Sequence, residues 1–161
     1  INRGDIITNT GIYHLINVMG NYRIEKKKIW KTPTTLVLEL YTKFHKGKIL
    51  KSVVNSSNFV SFKLGKQPEY KNNKLIDSAV TMNGKHMCMS VVNKSSSEKI
   101  LLKVPYLDRI AENYCIEGSN KVDLNTYANT SKVKIKQNSL KTNKGFLILP
   151  PHSISVVLFN I

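Results

Sequence analysis

The chain has 161 residues, 41% of them hydrophobic, so it is long enough for one ordinary domain with a core and is not a disordered tail. Its 25 Lys and Arg outweigh 10 Asp and Glu, for a net charge of +15, but only three of the basic residues are arginines, which favour bidentate phosphate and base contacts. Because the lysines spread over the whole chain without a stripe of stacking aromatics, we predict no nucleic-acid binding. The longest apolar runs are far shorter than a membrane span, so we predict no membrane partner.

The first part of the chain predicts helix, strand and helix. Residues 5–13 indicate a helix, and residues 15–19 indicate a short buried strand that Gly20 closes. A polar loop follows, with three consecutive lysines at residues 26–28. The loop leads into the second helix.

The second helix has a clear start signal. Thr32 can cap it, and Pro33 suits its first position because proline lacks the N–H that would be unpaired there. Apolar residues recur at helical spacing through positions 36, 37, 40, 41 and 44, and Gly47 is placed to end the element.

The pattern changes at Lys48, where short alternating runs separated by turn residues predict a β-sandwich or barrel. Asn83-Gly84 predicts a hairpin, since these residues accept the positive φ angles of a two-residue turn. Its strands are residues 79–82 and 85–92. Further strands are predicted at residues 100–104, 132–136, 146–149 and 153–158. Lysines at 132, 134 and 136 alternate with apolar residues, which indicates the solvent-exposed face of a strand and is compatible with a protected sheet edge.

Residues 1–47 are too few to stabilise a core of their own, and the chain begins with Ile1 rather than Met, so we expect it to continue a longer protein. A natural source for the leading piece is the closing segment of a (β/α)8 barrel. The predicted domains are a helix-strand-helix remnant of such a barrel at residues 1–47 and an antiparallel β-sandwich at residues 48–161. The fold class is therefore mainly β.

Cysteines and histidines indicate no metal or redox chemistry. Cys88 and Cys115 are too far apart for a CxxC pair and too few for a disulfide framework, so each is predicted to be a buried free thiol. The four histidines show no HxH or HExxH spacing. We assign no metal ligand and no cofactor.

Several motifs in order resemble the C-terminal region of α-L-arabinofuranosidases of glycoside hydrolase family 51. The matching segments are residues 16–18 (INV), 32–41 (TPTTLVLELY) with His45 and Gly47, 75–79 (LIDSA), 91–95 (VVNKS) and 149–156 (LPPHSISV). Residues 125–133 (NTYANTSKV) are similar to the family's NTFENPDRV, with departures at Ala128, Thr130 and Ser131.

The resemblance implies a catalytic (β/α)8 barrel followed by a jelly-roll β-sandwich, in an enzyme that cleaves terminal α-L-arabinofuranosyl residues with retention. Retention uses two carboxyl groups about 5 to 5.5 Å apart. In the family both are glutamates on earlier barrel strands, so we carry over no catalytic residue to this chain. Of its ten acidic residues, we interpret Glu39 as a pairing residue in the middle of a helix and Asp77 as a strand-start residue that satisfies turn backbone.

The resemblance thus favours an accessory domain that is inactive alone. Its expected partner is the barrel of the same chain, and the parent enzyme would bring arabinose-containing oligosaccharides. A second copy in a homo-oligomer is left open. In the isolated chain, the apolar faces of residues 5–19 and 33–44 should drive self-association or fold onto the β domain. The compartment stays open, with the cytoplasm slightly favoured.

The alternative is an independent carbohydrate-binding sandwich, which would need an aromatic platform. Trp30 is the only tryptophan, and its position favours plugging the barrel bottom or covering a core. The tyrosines at 70, 106, 114 and 127 are dispersed along the sequence.

Overall fold

The computed structural model describes residues 14–18 and 20–161. Its elements, in chain order, are β1 Tyr22–Glu25, β2 Lys28–Lys31, α1 Pro33–Phe44, β3 Lys48–Leu50, β4 Asn58–Ser61, β5 Tyr70–Lys74, β6 Ile76–Asn83, β7 His86–Asn93, β8 Ile100–Lys103, β9 Ile110–Glu117, β10 Lys134–Gln137, β11 Thr142–Asn143, β12 Phe146–Leu149 and β13 Ser153–Asn160. The mainly β fold predicted from the sequence is confirmed. The helix predicted over residues 5–13 lies outside the described residues.

A six-stranded antiparallel sheet organises the domain, with strand order β10-β9-β13-β7-β6-β3. A three-stranded sheet, β11-β12-β8, packs on one of its faces. The core between the two sheets contains Val91, Leu147, Leu149, Val157 and Phe159, each almost fully buried. The two sheets therefore form the predicted sandwich.

Helix α1 covers the opposite face of the six-stranded sheet. Leu36 and Leu40 lie one turn apart and pack with Tyr114, Ile116 and Val156 of that sheet. The predicted start is confirmed, because the Thr32 hydroxyl accepts a hydrogen bond from Thr35 N and Pro33 is the first helical residue. The apolar face of α1 is thus folded onto the β domain. The domain boundary at residue 47 stays a prediction.

His45 caps the C-terminus of α1, where its backbone N–H donates to the carbonyl of Tyr41. Its ring lies against β6, with Nδ1 3.1 Å from Thr81 Oγ1, and Nε2 is buried without a partner. Gly47 follows with φ +78°, and a Cβ there would overlap the carbonyl of Met82. Gly47 therefore ends the helical segment through a turn that only glycine fits.

The hairpin predicted at Asn83-Gly84 is confirmed, but its turn is displaced by one residue. Asn83 pairs with His86, so the two-residue loop is Gly84-Lys85. Gly84 has positive φ, whereas Lys85 does not, as in a turn that needs glycine at its first central position.

Two predictions for the N-terminal part are wrong. Residues 14–18 form no strand: Ile16 makes one bridge to Tyr22, and Leu15, Ile16 and Val18 are exposed. The lysine-rich segment is not a loop but the β1–β2 hairpin, in which Ile24 pairs with Ile29. Trp30 of this hairpin is buried, and its indole N–H donates to the carbonyl of Asn125, a contact that no local pattern signals.

The predicted lysine strand is β10, an edge of the six-stranded sheet as expected, although Lys132 and Val133 precede it. Strand β9, between β10 and β13, was not predicted. Within the described residues, no helix is long and apolar enough to cross a membrane.

We expect Leu40→Ala to lower the free energy of unfolding by about 2–5 kcal/mol, because Leu40 is 2% exposed between α1 and the sheet. Leu38→Ala, in the same helix at 36% exposure, is the matched control and should cost less than about 1 kcal/mol. Urea unfolding of both variants measures the difference. Equal losses would mean that α1 does not pack on the sheet in this way.

His45 should make the domain less stable in acid. Burial lowers the pKa of His45 from 6.5 to about 4, so between these pH values the unfolded chain binds the proton more readily than the folded one. Stability should therefore fall as the pH drops from about 6.5 to about 4, and His45→Gln should remove that part of the fall. Urea midpoints across this range measure it, with the exposed His86→Gln as control. Identical pH profiles for wild type and His45→Gln would contradict the assignment.

Candidate functional site

The carboxylates in the described part of the chain are held mainly by lysines. Glu39 pairs with Lys31 at 2.6 Å, which confirms its predicted pairing role. Asp77 lies at the start of β6, as predicted, but its carboxylate faces Lys94 at 4.0 Å rather than turn backbone. Further pairs are Glu69–Lys71, Glu117–Lys136 and Asp123–Lys132. These five carboxylates are therefore each paired with a lysine.

Asp123 organises the loop between β9 and β10. Its carboxylate pairs with Lys132 at 2.7 Å and accepts hydrogen bonds from the Ser119 hydroxyl and the Asn120 N–H. These donors, Lys132 first, hold the pKa of the Asp123 carboxyl well below its usual range. Asp123 is therefore a loop anchor that stays charged.

The VVNKS and LPPHSISV motifs meet in one buried polar cluster. Asn93 is 1% exposed, and its amide nitrogen donates to the carbonyls of Glu98 at 3.0 Å and Pro150 at 2.7 Å. Its side-chain oxygen accepts from Ser95 N at 2.9 Å. The Ser153 hydroxyl also donates to Pro150 O. These hydrogen bonds hold the loop after β7 and the loop before β13 together.

His152 joins the same region to the end of β9. Its ring nitrogens lie 3.3 Å from the carbonyl of Ser96 and 3.0 Å from the carbonyl of Gly118. The ring thus bridges two loops, which is a structural role. Within the described residues, no group of three His, Cys, Asp or Glu side chains is placed to hold a metal ion.

The NTYANTSKV motif holds the β1–β2 hairpin to the sheet. The Asn125 amide nitrogen donates to Lys31 O and Val133 O, and its side-chain oxygen accepts from Val133 N at 2.7 Å. The Asn125 carbonyl accepts from Trp30 Nε1 at 2.9 Å. Despite the departures from the family pattern, residues 126–129 close a turn, because Thr126 N donates to Asn129 O.

The aromatic side chains form no common platform in the described residues. Trp30 is buried, in agreement with its predicted covering role. The rings of Trp30 and Tyr127 are in an edge-on arrangement, with 6.4 Å between their centroids. The ammonium of Lys28 lies 4.4 Å from the Tyr127 ring centroid. Tyr114 packs on Phe44 beneath α1, and Tyr70 stands alone on β5. A sugar would find no stacked pair of exposed rings.

Both cysteines are buried and free, as predicted. Burial raises the pKa of the Cys88 thiol to about 12, and burial also raises that of Cys115. Both thiols are therefore protonated at neutral pH and are poor nucleophiles.

The concave feature nearest the motifs is a groove of about 370 Å³ between the start of α1 and the end of β9. Val37, Leu38 and Ile116 give it an apolar lining, and Lys121 and His152 also line it. The two carboxylates in its lining, Glu117 and Asp123, are each paired with a lysine, so the groove is suited to contact with apolar groups.

Exposed apolar side chains cluster around the first described residues. This N-terminal patch consists of Leu15, Ile16, Val18, Ile24 and Ile29, exposed by 42–62%. Residues 14–18 run beside β1, held by the bond from Ile24 N to the Asn17 side chain and by the Ile16–Tyr22 bridge. The N-terminal patch is available for packing against another surface. Sequence patterns could not identify it as exposed, because the same apolar residues are typical of a buried strand.

Comparisons with solved structures give the same fold. The chain aligns with alpha-L-arabinofuranosidase from Thermotoga maritima, solved as an arabinose complex, at a TM-score of 0.84 and 22% identity over 99% of this chain and 35% of that one. For the GH51 alpha-L-arabinofuranosidase from Thermotoga petrophila RKU-1, the TM-score is 0.75 and the identity is 23%, over 91% of this chain and 32% of that one. For AbfB, a family 51 alpha-L-arabinofuranosidase from Bifidobacterium longum, the TM-score is 0.74 and the identity is 17%, over 92% of this chain and 30% of that one.

The chain therefore spans about a third of the length of these structures. No curated protein matches its sequence at a significant level. A family model described as the alpha-L-arabinofuranosidase C-terminal domain matches residues 1–153, nearly the whole sequence. This chain belongs to the alpha-L-arabinofuranosidase C-terminal domain family.

Proposed function

We propose that this chain is the C-terminal accessory domain of a longer alpha-L-arabinofuranosidase, in which it packs against a catalytic (β/α)8 barrel and takes no part in bond cleavage. The observation that carries the proposal is the family match over residues 1–153, in a chain that spans about a third of the enzymes it resembles. The division into residues 1–47, which close the barrel, and residues 48–161, which form the sandwich, belongs to the same proposal.

The parent enzyme would hydrolyse terminal α-L-arabinofuranosyl residues with retention. That reaction needs one carboxylate as nucleophile and one carboxyl group as acid/base, about 5 to 5.5 Å apart. Both would be glutamates at the ends of upstream barrel strands. The ion pairs of Glu39, Glu117 and Asp123 with lysines support leaving these carboxylates out of the reaction.

Two surfaces support attachment to another domain. The N-terminal patch leaves five large apolar side chains in water, where a packed neighbour would remove them from solvent at a gain of about 25 cal/mol per Å² of apolar surface. The groove beside the start of α1 has an apolar lining that a neighbouring domain would also remove from solvent. An exposed apolar patch of this kind is typical of a surface that packs against another domain.

The alternative of an independent carbohydrate-binding module has less support. Its best anchor in the sequence, Trp30, is buried, and its indole N–H is already bonded to the carbonyl of Asn125. The ammonium groups of Lys26 and Lys28 lie 5.3 Å and 4.4 Å from the centroid of the Tyr127 ring. These lysines would compete with a sugar for contact with that ring.

The proposal predicts that the native protein is far larger than 18.3 kDa, since a barrel adds about 250 residues. An antibody against this chain should detect such a band in an extract of the source cells. The purified parent should hydrolyse 4-nitrophenyl α-L-arabinofuranoside and first release the α-anomer, as followed by ¹H NMR. The 161-residue chain should show no hydrolysis and no saturable binding to arabinan or xylan oligosaccharides.

A native band at 18.3 kDa would overturn the proposal. In that case, saturable oligosaccharide binding by the isolated chain would establish the binding module instead. Release of the β-anomer first would leave the accessory role intact but would exclude retention.

A further inference from the structure

A two-stranded ribbon projects from the domain without a core of its own. This arm is residues 58–74, made of β4, β5 and the turn between them. In the described chain, β4 and β5 form a separate sheet and pair with no other strand. An isolated two-stranded hairpin is marginally stable in water, so such an arm needs a surface to pack on.

The arm carries exposed apolar side chains for that contact. Val60 lies at the register shift of β4, and Phe62 and Leu64 follow β4 in the turn segment. Phe62 is 80% exposed, Leu64 is 77% exposed and Val60 is 44% exposed. An exposed Phe and Leu at the tip of a ribbon are typical of residues that fill a pocket on a partner.

The charges on the arm indicate what surrounds that pocket. The arm carries Lys63, Lys66, Lys71 and Lys74 against a single carboxylate, Glu69, which pairs with Lys71 at 3.6 Å. The whole chain has a net charge of +15. A second copy of this domain would repel the arm, whereas a surface rich in carboxylates would attract it.

The base of the arm lies at the end of the sheet where the upstream chain arrives. The arm joins the domain through the bond from Leu75 N to Ser57 O, directly before β6. The first residue of β6, Ile76, pairs with Asn93, which in turn pairs with Ser153 at the start of β13. That end of the sheet also holds Ile154 and Glu117, which line the groove with Pro33 at the start of α1.

Residues that precede α1 therefore approach the same end of the sheet from which the arm projects. The N-terminal patch belongs to this preceding segment, so it and the arm can contact one neighbouring body. A domain connected upstream is held close to the arm, which raises its effective concentration above that of any free partner.

We infer that the arm docks on the upstream, catalytic part of its own parent chain, with Phe62 and Leu64 in an apolar pocket that carboxylates border. This inference rests on the proposed function, since it requires the parent enzyme. The arm thereby acts as a second attachment between the two domains, in addition to the direct chain connection.

The test places the photo-crosslinking residue p-benzoylphenylalanine at position 62 of the full-length parent enzyme. Lys85, exposed in the β6–β7 turn at the opposite end of the sheet, is the matched control position. After irradiation of a mixture of ¹⁵N-labelled and unlabelled enzyme, peptide mass spectrometry identifies the cross-linked residues. We expect position 62 to cross-link to upstream residues of the same isotope, and position 85 to give no such product.

Mixed-isotope cross-links would overturn the inference in favour of a second copy, and the absence of any protein cross-link from position 62 would overturn it outright. A second measurement uses the double variant Phe62→Ser/Leu64→Ser. It should lower the melting temperature of the parent by about 2 °C or more and leave that of the isolated chain unchanged. Val53→Ser, which removes another exposed apolar side chain, is the control for the parent.

Equal effects of the double variant on parent and isolated chain would mean that the arm packs within this domain, contrary to the inference. The proposed function is tested separately by the size and activity of the parent. A large, active enzyme without cross-links from position 62 would therefore refute the arm contact alone.

Discussion

The burial of β13 on both faces is the constraint on which this domain depends. Its two edges pair with β7 and β9, so its backbone is satisfied by neighbours within the sheet. Val157 and Phe159 pack toward the three-stranded sheet, while Val156 packs beneath α1. A strand buried on both faces needs a packed layer on each face. The three-stranded sheet is the layer on one face, and α1 is the layer on the other. The helix is therefore part of the β domain's own core, even though it lies in the segment that the sequence predicts to close a barrel.

Residues of the motifs that carry the family resemblance hold loops together through hydrogen bonds to backbone groups. Asn93 and Asn125 each use the donor and the acceptor of one amide to bind backbone from two separate segments. A buried amide that lost one of these partners would leave polar groups unsatisfied, so each asparagine specifies the position of the loops it joins. His152 makes a third tie of this kind. These motif positions therefore contribute to the structure of the loops.

Two surfaces not explained by the domain's own packing lie at one end of the six-stranded sheet. These are the groove and the base of the arm. The opposite end, with the Gly84-Lys85 turn and the C-terminus of α1, has a contact from Ile161 N to Lys85 O and a second groove of about 330 Å³. The arm is therefore the feature that distinguishes the first end, because it pairs with no other strand in the described chain.

The sequence by itself determined the elements whose signals are local. Thr32-Pro33 starts α1, Asn83-Gly84 marks the β6–β7 hairpin, and β12 has the predicted bounds, because capping and turn conformations depend on residues a few positions apart. The order of the motifs also indicated correctly the C-terminal domain family to which the chain belongs. Only the tertiary structure decided that residues 110–117 form a strand, since Ala111, Glu112 and Asn113 break the alternation and become a strand by lying between β10 and β13. It also decided that the lysine-rich segment is a hairpin and that residues 15–18 are exposed, because strand pairing and burial depend on partners such as Asn125, which lies 95 residues from Trp30.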